Sequence, residues 1–344
     1  MCTLLGDTAP TAEEWRAQGL DKYGVIAVSS ASHKNAAQVE KVDHETAVQM
    51  LKNLGDIGQV GPSLGSFSVS AAMLEALCEE YSQELEAKEG KYDTDPHFWM
   101  PFTLPPEEYV TLMTQKGVDQ ETSRKHHERM SLMKSKFDLG DMGLFGAVDV
   151  GKDACWWDYG LLRLYSTNNL KLLEESEDAD LLRKFLGLTA KQMNSNVADG
   201  VVVDDACCLF SCNIRDKGQI VNSVLSSVDS MEVVADGAII VNCTAKKIRA
   251  KNGAILYNLV SDSDEGIVAD EGDVIVSVTD EDGSQMLLRS KMSICGGKAW
   301  KEIVLDNTIS FEGVHENNKE ANVSKIERVR KELSKKASES FGVA

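Results

Sequence analysis

From about residue 196 to about residue 300, short apolar triplets recur between Asp, Gly and Ser turns, and helical periodicity is almost absent. That pattern rules out a helical bundle for this stretch, because no amphipathic helix can be drawn through it. Three triplets resemble one another: Ile220-Val221-Asn222, Ile240-Val241-Asn242 and Leu256-Tyr257-Asn258, offset by 20 and then 16 residues. A period of about 18, with apolar residues about six apart as at Val202, Cys208, Ile214 and Ile220, suits a three-sided parallel β-helix, in which each face sends apolar side chains inward. A flat-sheet sandwich is the rival arrangement.

The preceding part, residues 1–190, reads differently. Thr11 with Glu14 three residues on has the form of a capping box, predicting a helix from Thr11 to Gln18. Tyr23 to Ser29 is a buried strand, and Ala37 to Val42 its hairpin partner after a polar turn at Ser32 to Asn35. Asp43 caps a helix running to about Leu54. A glycine-rich stretch from Gly58 to Gly65 precedes a short strand at Ser66 to Val69 and a helix from Ala71 to Glu86. Four of the six prolines fall in residues 88–110, predicting an irregular run before a helix that starts at Pro106. A charged helix over Thr122 to Lys136 and a strand over Leu144 to Val150 follow, with helices at Leu170 to Glu175 and Asp178 to Leu186. Residues 300–315 suggest one or two closing strands, and Asn322 to Ala337 a basic terminal helix whose charge belongs to a solvated face.

The 344 residues suffice for two domains, since single cores stop growing at about 250 to 300 residues. The division predicted is an α/β domain over residues 1–190, a β-helix over 195–312 and a helical tail over 313–344. A net charge of −19 argues against nucleic acid and anionic membranes as partners, since both reward basic patches. No window reaches the roughly 18 to 20 apolar residues of a bilayer span, and the first residues lack a signal peptide's basic and apolar regions. Eight irregularly placed cysteines resemble reduced, buried small residues rather than a disulfide framework. The expectation is a cytoplasmic protein.

The candidate chemistry centres on Trp156-Trp157-Asp158-Tyr159-Gly160, which places one carboxylate between aromatics and a glycine before a helical pattern. Asp158 suits either a divalent cation, since Mg²⁺ accepts one or two carboxylates beside water and phosphate, or a helix N-cap. Glu40-Lys41 ends a predicted strand, where lysine is a point charge for phosphate and glutamate an acceptor for sugar hydroxyls. As an isolated pair it reads as a solvated ion pair far more readily than as a phosphate site. Cys207, Cys208 and Cys212 lack a second cysteine pair and are expected in the core. His126 and His127 lie on the charged helix and are expected in solvent. The run Asp262, Asp264, Glu265, Asp270, Glu271, Asp273 matches no Ca²⁺ loop spacing and reads as exposed turns.

The order of these pieces resembles a family. A YGVI strand, the sequence Val39-Glu40-Lys41-Val42, the glycine element Leu64-Gly65-Ser66-Phe67 and the W-x-D-x-G motif followed by Tyr165 and Asn169-Leu170 look like the sugar-binding half of sugar-1-phosphate nucleotidyltransferases. The resemblance covers roughly residues 20–175, and Val42 replaces the family's usual proline. It implies a partial Rossmann-like nucleotidyltransferase domain followed by a left-handed parallel β-helix. It also implies nucleotidyl transfer from a nucleoside triphosphate to a sugar 1-phosphate, with Mg²⁺.

By this resemblance Lys41 contacts the sugar phosphate, Glu40 the sugar hydroxyls, and Gly24 lets the sugar approach the backbone. Ser63 stands where many members have a sugar-binding asparagine, Gly65 matches the family glycine, and Asp158 is one of two metal-binding aspartates. The family's G-x-G-x-R loop and its other metal aspartate do not occur in these residues. The resemblance therefore implies catalysis as part of a complete protein. The alternative is a non-catalytic relative that assembles through its β-helix, as a homo-oligomer or with a catalytic partner chain.

Overall fold

A computed structural model of the protein describes residues 1–87, 90, 98–137, 139, 143–151, 153–294 and 297–341. It is a mixed helix and sheet chain dividing into two compact units, Met1–Trp156 and Trp157–Ala344. None of its described helices is long and apolar enough to cross a membrane.

In the first unit, β1 (Cys2–Thr3) leads to α1 (Ala12–Ala17), whose N-terminus carries the expected Thr11–Glu14 capping box. Next, β2 (Gly24–Ser29) and β3 (Ser32–Glu40) form the expected antiparallel hairpin, pairing Gly24 with Glu40. Asp43 caps α2 (His44–Met50), its carboxylate accepting the Thr46 N–H at 3.0 Å. β4 (Ile57–Pro62) lies on the other side of β2, giving a three-stranded antiparallel sheet of order β3-β2-β4. Helices α3 (Ala71–Glu80), α4 (Ser82–Ala87), α5 (Met100–Thr103), α6 (Pro106–Gln115) and α7 (Gln120–Ser135) follow. Finally, β5 (Val148–Asp149) pairs in parallel with β1.

The apolar run of β2 is continuous because both faces of the strand are covered. Val25 and Ala27 pack with Trp15, Val39, Met100 and Tyr109, whereas Ile26 and Val28 pack with Leu5 and Ala36.

Three expectations for this unit fail. The third strand is Ile57–Pro62, inside the glycine-rich stretch, and Ser66–Val69 is loop. Only Val148–Asp149 of the predicted Leu144–Val150 strand pairs. His126 and His127 are buried, not solvated. They belong to a stripe, Ser123, His126, His127, Met130 and Met133, with the three- and four-residue spacing of a buried helix face. Two polar rings in that stripe hide it from a hydropathy reading, and His127 Nε2 lies 2.9 Å from the Leu104 carbonyl oxygen. Part of the irregular run expected over residues 88–110 lies outside the described residues.

The second unit opens with α8 (Leu162–Leu170) and α9 (Glu177–Phe185) and is then a parallel β-solenoid of about five turns. Short strands such as Cys208–Phe210, Val224–Ser226, Ile239–Val241 and Ile255–Tyr257 stack into one sheet. Longer strands, Asn213–Val221, Asp229–Asp236 and Thr244–Ala250, stack into the other. The first long strand is bent, its register shifting between Ile214 and Lys217. Each short strand ends in a left-handed residue: Asn194, Ser211, Ser227, Asn242 and Asn258, at φ between 51° and 59° and at intervals of 15 to 17 residues.

The period is thus shorter than expected, and one of the three matched triplets belongs to a different corner. Ile240 and Val241 pair in register with Leu256 and Tyr257, but the equivalents one turn earlier are Leu225 and Ser226. Ile220-Val221 lies in the other sheet, beside Ala235 and Asp236. Of the four predicted inward residues, Ile214 and Ile220 reach the solenoid core and Val202 is 67% exposed. Cys208 is buried on the outer side, with Leu172 and Leu182, while its neighbour Leu209 points inward.

Cys207 and Cys212 are core residues as expected. Cys212, Val228, Cys243 and Leu259 occupy equivalent places in successive turns, each just before a residue of one register ladder. The last solenoid strand, Asp273–Thr279, is closed by an antiparallel strand, Gln285–Lys291. The closing strands expected over residues 300–315 are instead a 3-10 turn at Gly297–Lys301 and α10 (Phe311–Asn318). α11 (Val323–Ser340) lies on the solenoid: Glu281 accepts the Asn322 N–H at 2.8 Å and pairs with Lys325, and Ala337 and Phe341 are buried. The acidic run is the expected set of turns, its charges paired as Lys246–Asp264, Lys251–Asp270 and Lys291–Asp273.

Candidate functional site

The hairpin of the first unit brings four of the singled-out residues to one place. Gly24, Glu40, Ser63 and Gly65 line a cavity of about 170 Å³, with Gln38, Phe67 and Trp99 among its other walls. Two backbone links fix it. The Ser63 N–H donates to the Gly24 carbonyl at 2.7 Å, which carries the β4 edge past its last residue, and the Cys2 N–H donates to Ser66 at 2.8 Å. Gly65 has φ 70°, a conformation glycine adopts without cost, and its N–H lies 3.4 Å from the Ser63 hydroxyl.

Glu40 is the buried charge of this cavity, at 8% exposure. Gln38 Nε2 donates to its Oε2 at 3.4 Å, and Lys41 Nζ stands 3.4 Å from its Oε1. The close approach at Gly24 is made by these side chains. A Cβ there would lie 2.5 Å from Glu40 Oε2 and 2.9 Å from Gln38 Nε2. Burial of a carboxylate demands such partners, since an unpaired buried charge is costly.

Lys41 takes φ 54°, unusual for a residue with a side chain. That turn sends its ammonium toward a second cavity of about 580 Å³, which Glu40 also borders, with Thr46, Glu107, Glu108 and Lys116. The Lys41 side chain is 59% exposed, so its pairing with Glu40 is weak and the ammonium can turn to another anion.

Asp158 belongs to the second unit. Its Oδ1 accepts the Gly160 N–H at 2.7 Å, and its backbone oxygen accepts from Asn168 Nδ2 at 2.6 Å. The N-cap of α8 is Leu161, with no side-chain cap. Asp158 therefore closes an Asx turn ahead of the helix instead of capping it. Oδ2 has no hydrogen-bond partner among the described residues and is the oxygen left for a cation. No group of three or more His, Cys, Asp and Glu that could hold a metal occurs among the described residues, so Asp158 brings a single carboxylate, which Mg²⁺ accepts when phosphates and water complete its shell.

The aromatics of the motif are tied separately. Tyr23 packs edge-on against Trp156 at 5.4 Å within the first unit. Trp157 Nε1 donates to Asp178 Oδ1 at 2.9 Å in the second. Lys171, bonded to Asp178, holds that carboxyl below its ordinary value, with Trp157 adding to the effect.

Gln38, absent from the sequence motifs, stands two residues before Glu40 on the same strand face, where strand alternation points to it. Trp99 has no local pattern that links it to the hairpin. The fold and cavities define a mixed helix and sheet protein with a parallel β-solenoid. Comparison with protein-family models, curated proteins and solved structures found no match.

Proposed function

We propose that the first unit binds a sugar 1-phosphate and serves nucleotidyl transfer from a nucleoside triphosphate, as part of a complete protein. The observation that supports this reading is the convergence of Gly24, Glu40, Ser63 and Gly65 on one small cavity, with Lys41 on the neighbouring cavity that Glu40 also borders. Glu40 and Gln38 would bond the sugar hydroxyls, and the Ser63 hydroxyl and the Gly65 backbone would set the ring's depth. Lys41 would meet the phosphate as a point charge. The reading carries with it the finer fold assignment, a partial Rossmann-like domain and a left-handed solenoid.

Mg²⁺, when bound, supplies neutralising charge to the reacting phosphates. In the second unit, taken by itself, Asp158 Oδ2 would offer one oxygen to such a cation, the Asx turn to Gly160 keeping the carboxylate's orientation. Calorimetric titration of the full chain with a panel of sugar 1-phosphates tests the binding step. We expect one sugar phosphate to bind, and Lys41→Ala to weaken it by roughly 1.5–3 kcal/mol, as for a hydrogen bond to a charged group. Absence of binding by every member of the panel would overturn the reading. Pyrophosphate release in the presence of nucleoside triphosphates tests turnover separately.

A second reading, a non-catalytic protein assembling through its solenoid, is favoured by one observation. Val202, Val234 and Val268 are exposed and fall in the register column that also holds Gln219 and Arg249. Light scattering distinguishes it: assembly that Val234→Lys abolishes, without sugar phosphate binding, supports this second reading.

A further inference from the structure

The second unit contains a cavity of about 390 Å³ for which the sugar phosphate reading has no use. It lies against the last solenoid strands, and Tyr159, Tyr165, Val276, Ser290, Trp300 and Phe311 mark its extent. Its size falls in the range of small-molecule sites, roughly 300–1,000 Å³. No charged side chain is among the described residues that line it.

Its polar groups are hydroxyls. Ser290 is 5% exposed, and its hydroxyl has no hydrogen-bond partner among the described residues. The Tyr159 and Tyr165 hydroxyls are likewise without a partner there, their rings packed edge-on at 6.0 Å. Burial raises both phenols from their ordinary value, so each is an O–H donor at neutral pH. These hydroxyls are free to donate to an acceptor that enters the cavity, where a hydrogen bond to them would be gained against an otherwise apolar wall. Trp300 is 43% exposed and Tyr159 39%, leaving aromatic surface that a ring could cover.

We propose that this cavity binds an uncharged, flat, ring-containing small molecule bearing a hydrogen-bond acceptor, which the Ser290 and tyrosine hydroxyls receive. An anion or cation would enter without a counter-charge and is disfavoured. The aromatic walls suit a planar body, and the unpaired donors select an acceptor on it.

The test uses the full chain and 6-propionyl-2-dimethylaminonaphthalene, an uncharged naphthalene with one carbonyl and polarity-sensitive emission. We expect saturable, blue-shifted emission with one probe per chain. Val276→Trp and Ala299→Trp fill the cavity from two sides, and each abolishes binding while circular dichroism stays as in the parent. Ser290→Ala weakens the carbonyl probe by roughly two- to tenfold, the worth of one hydrogen bond, and leaves 2-dimethylaminonaphthalene unchanged. Non-saturable emission, or equal binding by both folded tryptophan variants, overturns the proposal. So does an equal effect of Ser290→Ala on both probes. Sugar phosphate titration of the same variants is independent, so failure of either assignment leaves the other standing.

Discussion

The carboxylate of Glu40 lies against the Cα of Gly24, so close that a Cβ at Gly24 would stand 2.5 Å from Oε2. The two residues are also register partners across the β2–β3 hairpin. A side chain at position 24 would therefore push the buried charge out of its cavity, while the groups that move are the far ends of the flexible Glu40 and Gln38 side chains. Gly24→Ala should cost about 1 kcal/mol or less in urea unfolding. The same variant should lose roughly tenfold or more in sugar 1-phosphate affinity, since hydrogen bonds to a charged acceptor are worth about 1.5–3 kcal/mol. Unchanged affinity in a folded Gly24→Ala protein would separate Glu40 from ligand binding.

The solenoid register makes a sharp distinction between residues that look alike in the sequence. Ile214 is fully buried in the solenoid core and Val202 is 67% exposed. Ile214→Ala should destabilise the protein by about 2–5 kcal/mol, and Val202→Ala by no more than about 0.5 kcal/mol. Chemical denaturation of the two variants measures both, and equal losses would contradict the register.

The solenoid was legible as a kind of fold before it was legible in detail. Recurring apolar triplets between turn residues specify parallel coils, but Ile220-Val221-Asn222 and Ile240-Val241-Asn242 share a composition while sitting at different corners. A left-handed asparagine ends each triplet, and a one-dimensional pattern does not say which corner it turns. Val201 and Val203 pack against the core while Val202 between them pairs with Gln219 and faces out, so an even six-residue spacing is one residue out of phase at that strand. In the first unit Glu40 and Gly24 are singled out by the family resemblance, and the hairpin that joins them brings them side by side. Trp99 reaches the same cavity from a distant segment, and only tertiary packing reveals it. The burial of His126 and His127 was hidden by their polarity, although their spacing was helical.

The solenoid cysteines should be chemically silent. Burial pushes the Cys243 thiol from 9.0 up to about 12 and the Cys208 thiol up to about 11, so neither is a thiolate at neutral pH. Cys78 and Cys155 are exposed. A thiol reagent at pH 8 should modify Cys78 and Cys155 rapidly, and Cys207, Cys208, Cys212 and Cys243 only after unfolding. The folded pKa values are raised above the unfolded one, so the stabilisation is complete below about pH 9 and lost as pH rises toward 12. Cys243→Val, which copies Val228 one turn earlier, should flatten that alkaline decline in melting experiments. A decline unchanged by this substitution would assign it to other groups.

Asn242 and Asn258 occupy successive left-handed corners, and Asn242 Nδ2 donates to Asn258 Oδ1 at 3.1 Å. Asparagine suits the place twice, because it tolerates positive φ and its amide can both donate and accept along the stack. A β-branched residue at φ 54° places its Cβ against the following carbonyl oxygen, a strain of roughly 1–2 kcal/mol. Asn242→Val also breaks the ladder bond, worth roughly another 1 kcal/mol. It should therefore cost about 2–3 kcal/mol in urea unfolding. Asn242→Gly keeps the conformation and loses only the bond, so its cost should stay near 1 kcal/mol. Equal losses from the two substitutions would show that the corner is held by the side-chain bond and not by the backbone conformation.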